Sequence, residues 1–248
     1  MSSALLVATF VAALPCRADD ALLARGRALY GEQCILCHGK DGRGDGDAAY
    51  LLVVPPRDFR AGRFRFVSTW ERVPTDDDLL RTITCGLPGT QMPSHTALSE
   101  GDGRALVAVV KSFAEEPWTV EPARPPGADG TPGHGVVVVP REPPDARTNH
   151  ARGEELFREA CATCHGASGH GDGRTDLLTD EGYRIRPRDF TRGVFKGDPS
   201  PSGLYRRIVV GIPGTPMPAN DWAYGDDAWY LVYYVLSLGS ERDPGSDR

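Results

Sequence analysis

Cys34-Ile35-Leu36-Cys37-His38 and Cys161-Ala162-Thr163-Cys164-His165 are the stretches from which the rest of this chain is read. In each, two cysteines lie about one helical turn apart and a histidine follows at once. This is the C-x-x-C-H spacing of c-type haem attachment. There the two thiols bond the vinyl groups of one porphyrin, and the adjoining imidazole meets the iron. A redox dithiol needs no adjoining histidine and belongs beside a βαβ pattern, which the sequence lacks. A zinc site needs further Cys or His at ligand spacing, and Cys85 and His95 do not supply it.

Working outward from the two motifs, the chain repeats itself. Arg25-Gly-Arg-Ala-Leu-Tyr30 precedes the first motif and Arg152-Gly-Glu-Glu-Leu-Phe157 the second. Gly39-Lys-Asp-Gly-Arg-Gly-Asp-Gly46 and Gly166-Ala-Ser-Gly-His-Gly-Asp-Gly173 follow them, then Pro56-Arg57-Asp58-Phe59 and Pro187-Arg188-Asp189-Phe190. Gly86-Leu-Pro-Gly-Thr-Gln-Met92-Pro93 and Gly211-Ile-Pro-Gly-Thr-Pro-Met217-Pro218 come next, and each half closes on an apolar helix. The order never changes, so the chain is a duplication.

Only three methionines occur, and one is Met1. Met92 and Met217 recur once per motif inside nearly the same Gly/Pro-rich segment. Methionine used as core filler would scatter and exchange with leucine. A thioether on iron must recur with the haem, so both are read as sixth ligands opposite His38 and His165. The expected cofactor content is two covalently attached haems, on Cys34 and Cys37 and on Cys161 and Cys164.

The predicted class is mainly α. Leu22 to Gln33 and His150 to Ala160 are helices that deliver the motifs. Thr75 caps a helix that opens on Asp76, Asp77 and Asp78 and stops at Gly86. Its counterpart starts near Ser200 or Ser202 and stops at Gly211. Ala105 to Phe113 and Trp229 to Leu238 are the closing helices, each too short to cross a bilayer.

The limits read as follows. Residues 1–18 form an apolar export signal with a cutting point at Ala18 but no basic residue in Met1-Ser2-Ser3 ahead of the apolar run; a lipid anchor through Cys16 and a retained segment are the alternatives. Residues 19–114 and 148–239 are the two repeated domains, 115–147 a Pro-rich linker, and 240–248 a polar tail. The linker's prolines favour extended backbone, and Val136 to Val139 is a strand that either domain can receive. The net charge of −6 over 248 residues excludes a nucleic-acid partner, whose phosphates demand a basic footprint.

These residues together resemble the class I c-type cytochromes, in their two-domain, two-haem bacterial form. The resemblance covers about residues 20–114 and 148–239. It implies tandem helical domains whose first and last helices cross beside the haem, with an aromatic residue at the crossing. Tyr234 fits that place, and Val109 stands at the matching position of the first half. It also implies a proline carbonyl that accepts the N–H of the proximal imidazole. Pro56 and Pro187 are the candidates, though farther from His38 and His165 than is usual.

Iron closed by histidine and methionine has no open position, so one-electron exchange is the expected function, with no catalysis. Methionine ligation raises the potential, and the pairs Gln91/Pro216 and Val109/Tyr234 predict two unequal potentials. Arg57 and Arg188 are candidates for pairing with haem carboxylates; the alternative is a solvated loop held down by Phe59 and Phe190. Cys85 aligns with Val210 and reads as a buried lone thiol. The expected partners are a protein donor and acceptor in the periplasm, the chain being soluble or peripherally associated. Two rival functions stay open: a haem enzyme oxidising a small sulfur compound or reducing peroxide, and a cytochrome subunit of a larger oxidoreductase.

Overall fold

The computed structural model describes residues 18–240. Apart from Ala18, the expected export segment and Cys16 lie outside these residues, as does the polar tail apart from Ser240. Eight α-helices are described: α1 (Ala18–Gln33), α2 (Ile35–His38), α3 (Asp76–Cys85), α4 (Glu100–Ser112), α5 (His150–Ala160), α6 (Ala162–His165), α7 (Pro201–Val210) and α8 (Asp226–Ser240). Among the described residues there is no β-strand, only three isolated bridges. The second four helices repeat the first four.

Local chemistry sets the helix ends. Thr75 accepts from the Asp78 amide while Asp78 accepts back from the Thr75 amide, so two orphan amides are satisfied at once. Ser99 and Ser200 do the same with one bond each, and Pro201 sits in the first turn of α7, where its missing N–H costs nothing. Gly86 and Gly211 end α3 and α7 at positive φ. α1 starts earlier than the apolar pattern predicts, because Asp19 and Asp20 fall on its positive end.

The repeated Arg-Gly pair has a packing role in both halves. A Cβ on Gly26 would overlap the Ala105 carbonyl and the Val109 side chain, and one on Gly153 would overlap the Tyr230 carbonyl and Tyr234. Each glycine therefore marks where the first helix crosses the last, α1 on α4 and α5 on α8. The preceding arginine then reaches the start of the last helix. Arg25 bonds Asp102 at 2.7 Å, and Arg152 grips both carboxylate oxygens of Asp227 at 3.0–3.1 Å. The crossings are finished differently. Phe113 of the first half lies 5.2 Å from Tyr30, whereas Tyr234 of the second lies 5.3 Å from Phe157. The aromatic residue has moved by one helical turn, which is how a valine is tolerated at 109.

Residues 113–149 contain no helix and strap both halves together. Val136 pairs with Thr69, and the Val137 amide donates to the Ser68 carbonyl at 2.8 Å. From the other side Arg206 donates to the Val137 carbonyl, Tyr224 to that of Val138 and Trp229 to that of Pro140. The side chain of Val137 is wholly buried. The predicted extended segment thus lies on both halves at once.

Candidate haem sites

α1 hands directly to the first motif. The Cys34 amide donates to the Tyr30 carbonyl at 2.9 Å, and the His38 amide donates to the Cys34 carbonyl at 2.9 Å. One turn of backbone thus presents Cys34, Cys37 and His38 to a single cavity, which Met92 also lines. Its walls are apolar, with Leu79, Ile83, Leu106 and Val110 from α3 and α4. It encloses about 1300 Å³ of empty space counted out to its open mouth. Burial pushes the Cys34 thiol up to about 11, and Cys161 likewise to about 11. Such thiols stay protonated at neutral pH, unlike the activated thiolate of a dithiol redox enzyme. Among the described residues no three His, Cys, Asp or Glu side chains converge as a metal-ion site.

The Arg-Asp-Phe repeat builds the support behind each imidazole. The Arg57 carbonyl stands 3.4 Å from His38 Nδ1, and the Arg188 carbonyl stands 3.2 Å from His165 Nδ1. An Nδ1–H turned to a carbonyl leaves the Nε2 lone pair for a metal, and fixes the ring plane. Burial also lowers the pKa of both histidines, which favours that neutral form. Phe59 stacks on His38 at 4.5 Å and Phe190 on His165 at 4.4 Å, both about 20° from parallel. The carbonyl that meets the imidazole is therefore one residue beyond the expected Pro56 and Pro187. Those two carbonyls instead lie against Gly44 and Gly171, both at positive φ, where a side chain would collide with them. The span from histidine to this arginine is 19 residues in the first half and 23 in the second, and the same contact forms in both. The role of the phenylalanines escapes a reading by residue type; their recurrence after Arg-Asp is the signal that could have exposed it.

The methionine loops match bond for bond. The Leu87 amide donates to the Met92 carbonyl and the Ile212 amide to the Met217 carbonyl, at 3.1 and 3.2 Å. Thr90 Oγ1 donates to the Leu87 carbonyl and accepts from the Met92 amide; Thr215 repeats both bonds with Ile212 and Met217. The threonine is thus the hook of the segment. His95 lines the first cavity beside Met92, but its place in the second half is taken by Asn220, so no second imidazole recurs there.

Two features separate the halves. Leu36, Tyr50, Leu51 and Val53 are exposed beside the first motif, at 60, 83, 65 and 86%, whereas Thr163 takes the place of Leu36 in the second. Cys85 is exposed, which corrects the expected buried thiol; Val210 at the matching position is covered. Of the other histidines, His134 lies 3.4 Å from Glu71, His150 faces the Arg147 carbonyl, and His170 lies 3.4 Å from Thr191.

Comparison with known proteins gives the family. Residues 150–239 match the cytochrome c family, and residues 21–110 match subunit III of the cbb3-type cytochrome c oxidases. A chain of the reducing HAO-like protein complex of Kuenenia stuttgartiensis is 34% identical, with a TM-score of 0.70 over 86% of this chain and 95% of that one. The chain is a two-domain class I c-type cytochrome. No curated protein sequence matches it. As a cytochrome c it carries covalently bound haem iron and serves electron transfer. No helix of the cytochrome among the described residues is long and apolar enough to cross a membrane.

Proposed function

We propose that the cytochrome carries two haems and passes single electrons between a protein donor and a protein acceptor, without catalysing a reaction of its own. The first haem is bound to Cys34 and Cys37 with His38 and Met92 on its iron; the second is bound to Cys161 and Cys164 with His165 and Met217. Residues 19–114 and 148–239 are the two haem-bearing units, and 115–147 join them. The observation that carries this reading is the recurrence of the same parts in both halves: a carbonyl and a stacked phenylalanine at the imidazole, and a threonine-hooked methionine loop.

The haem iron supplies a one-electron couple, and the protein's part is to hold it unchanged in shape between its two states. The carbonyls of Arg57 and Arg188 keep the imidazoles in one tautomer and orientation. The threonine hooks keep each thioether from swinging away, so no position opens to a small substrate. The apolar walls of the first cavity exclude water and raise the potential in concert with the methionine. A place for the cytochrome inside or beside a larger oxidoreductase is favoured by its likeness to a chain of the reducing HAO-like protein complex, and we place it in the periplasm, where its apolar first segment would export it.

A catalytic haem is the second reading, prompted by the exposed Cys85 thiol close in sequence to Met92. Cys85 is not among the residues around the first cavity, which favours the carrier. The test is the absorption of the oxidised protein and of Met92→Ala and Met217→Ala. Each substitution should abolish half of the methionine-to-iron band, lower one of two potentials and admit exogenous imidazole at one iron. An unchanged spectrum in both variants, or a high-spin haem in the unaltered protein, overturns the reading.

A further inference from the structure

The first cavity holds a second imidazole. His95 lies three residues beyond Met92, is half-buried and lines the same cavity. Of the six histidines, His38 and His165 meet backbone carbonyls and stack on phenylalanines. His134, His150 and His170 have Glu71, the Arg147 carbonyl and Thr191 beside them. The His95 ring alone, among the described residues, has no hydrogen-bond, ion-pair or stacking partner.

Its backbone is tied down independently of the methionine. The His95 amide donates to the Thr84 carbonyl of α3 at 2.9 Å, and the Leu98 amide donates to the His95 carbonyl at 3.1 Å. Pro93 is pressed against Gly86, where a Cβ would overlap the Pro93 carbonyl. Residues 87–92 are hydrogen-bonded only to one another among the described residues, through the Leu87–Met92 bond and the Thr90 hook. The first methionine loop can therefore lift while His95 stays at the cavity wall. The second half is built otherwise at both points. Asn220 makes the same backbone bond, to the Val209 carbonyl at 2.9 Å, but its side chain is engaged by the Ile208 carbonyl and Trp222. The second methionine loop is tied from outside, the Asp180 amide donating to the Gly214 carbonyl at 3.3 Å.

We propose that His95 is a reserve ligand for the first iron, taking the sixth position whenever the Met92 loop lifts, and that the second iron has none. The inference rests on the two-haem, His/Met reading above. Imidazole suits iron, and a thioether favours the ferrous state, so His95 competes best in the oxidised protein. His95 gives the lone pair of a neutral ring nitrogen as the iron–sulfur bond opens, and no proton or electron moves in the exchange. An imidazole already at the wall needs no diffusional encounter and acts at a high effective concentration. Lifting of the first loop thus exchanges one closed iron for another of lower potential. Lifting of the second leaves a position open, so small ligands are directed to the second haem.

The experiment is electron paramagnetic resonance and absorption of the ferric full-length protein, after haem content per chain has been measured. Met92→Ala should halve the methionine-to-iron band yet keep its first haem low-spin, whereas Met217→Ala should turn the second haem high-spin. Adding His95→Asn to Met92→Ala should turn the first haem high-spin too, and let exogenous imidazole saturate it at an about tenfold lower concentration. The second haem should keep its methionine band there, which shows that the chain has folded; His95→Gln in the same background is a second route to the same result. A high-spin first haem in Met92→Ala, or a low-spin one that survives loss of the His95 imidazole, overturns the reserve ligand. A low-spin second haem in Met217→Ala overturns the difference between the halves. Fewer than two haems per chain, or a methionine band untouched by both Met92→Ala and Met217→Ala, overturns instead the reading beneath it.

Discussion

In the proposed arrangement Met92 and Met217 are weak ligands that have to be held, and Thr90 and Thr215 each hold one through a single hydroxyl. Each makes two bonds to its own loop, one as donor and one as acceptor. A bond of this kind is worth about 1 kcal/mol net, so losing both opens a methionine loop roughly tenfold or more often. Thr90→Val should therefore speed the binding of exogenous imidazole at the first ferric haem about tenfold and leave the second unchanged; Thr215→Val should do the reverse. Stopped-flow absorption measures this directly, and equal effects at both haems would contradict it. Much of the proposed site at this scale is legible in the sequence. Cysteines, histidines and methionines announce themselves because their chemistry depends on residue type. The carbonyls of Arg57 and Arg188 do not, since any residue has one, and only the folded path of the loop selects which of two neighbours meets the imidazole.

Among the helices, the two crossings are the elements on which each half depends. Gly26 and Gly153 let backbones approach to a distance that excludes any side chain. Gly153→Val forces its branched side chain against the Tyr230 carbonyl, and overpacking of this kind costs about 3 kcal/mol or more. For a chain of this size that is a fall in melting temperature of about 10 °C, read by circular dichroism of the holoprotein. Helix positions were foreseeable because caps are local: Thr75, Ser99 and Ser200 each satisfy an amide within three residues. What the repeat could not convey is cover. Cys85 and Val210 share a place in the alignment, yet one faces solvent and the other is buried, because cover comes from a neighbouring element and not from the residue itself. The one-turn exchange between Phe113 and Tyr234 is another case, legible only once both crossings are compared.

At the scale of the whole molecule, the strap over residues 113–149 decides whether the two halves behave as one body. Val137 is wholly buried where both halves meet, with Ser68 on one side and Arg206 on the other. Val137→Asp puts an unpaired carboxylate there, which costs several kcal/mol. The expected outcome is two thermal transitions by calorimetry in place of one, with both haem spectra intact below the first. A single shifted transition would show that the halves cooperate by another route. The sequence foretold an extended segment from its valines and prolines. It did not foretell which half would receive it, since hydrogen bonds to backbone carbonyls leave no mark on residue identity.

The same strap makes one peptide bond dispensable. Asp129 and Gly130 form an exposed turn well away from the buried Val137, and bonds from Tyr224 and Trp229 anchor the chain beyond it while Trp118 anchors the chain before it, at the Pro74 carbonyl. Severing the chain at that turn separates the polypeptide into two without separating the molecule: the downstream fragment keeps its grip on the first half through Ser68 and Trp70, so the pair would travel through a sizing column as though never cut.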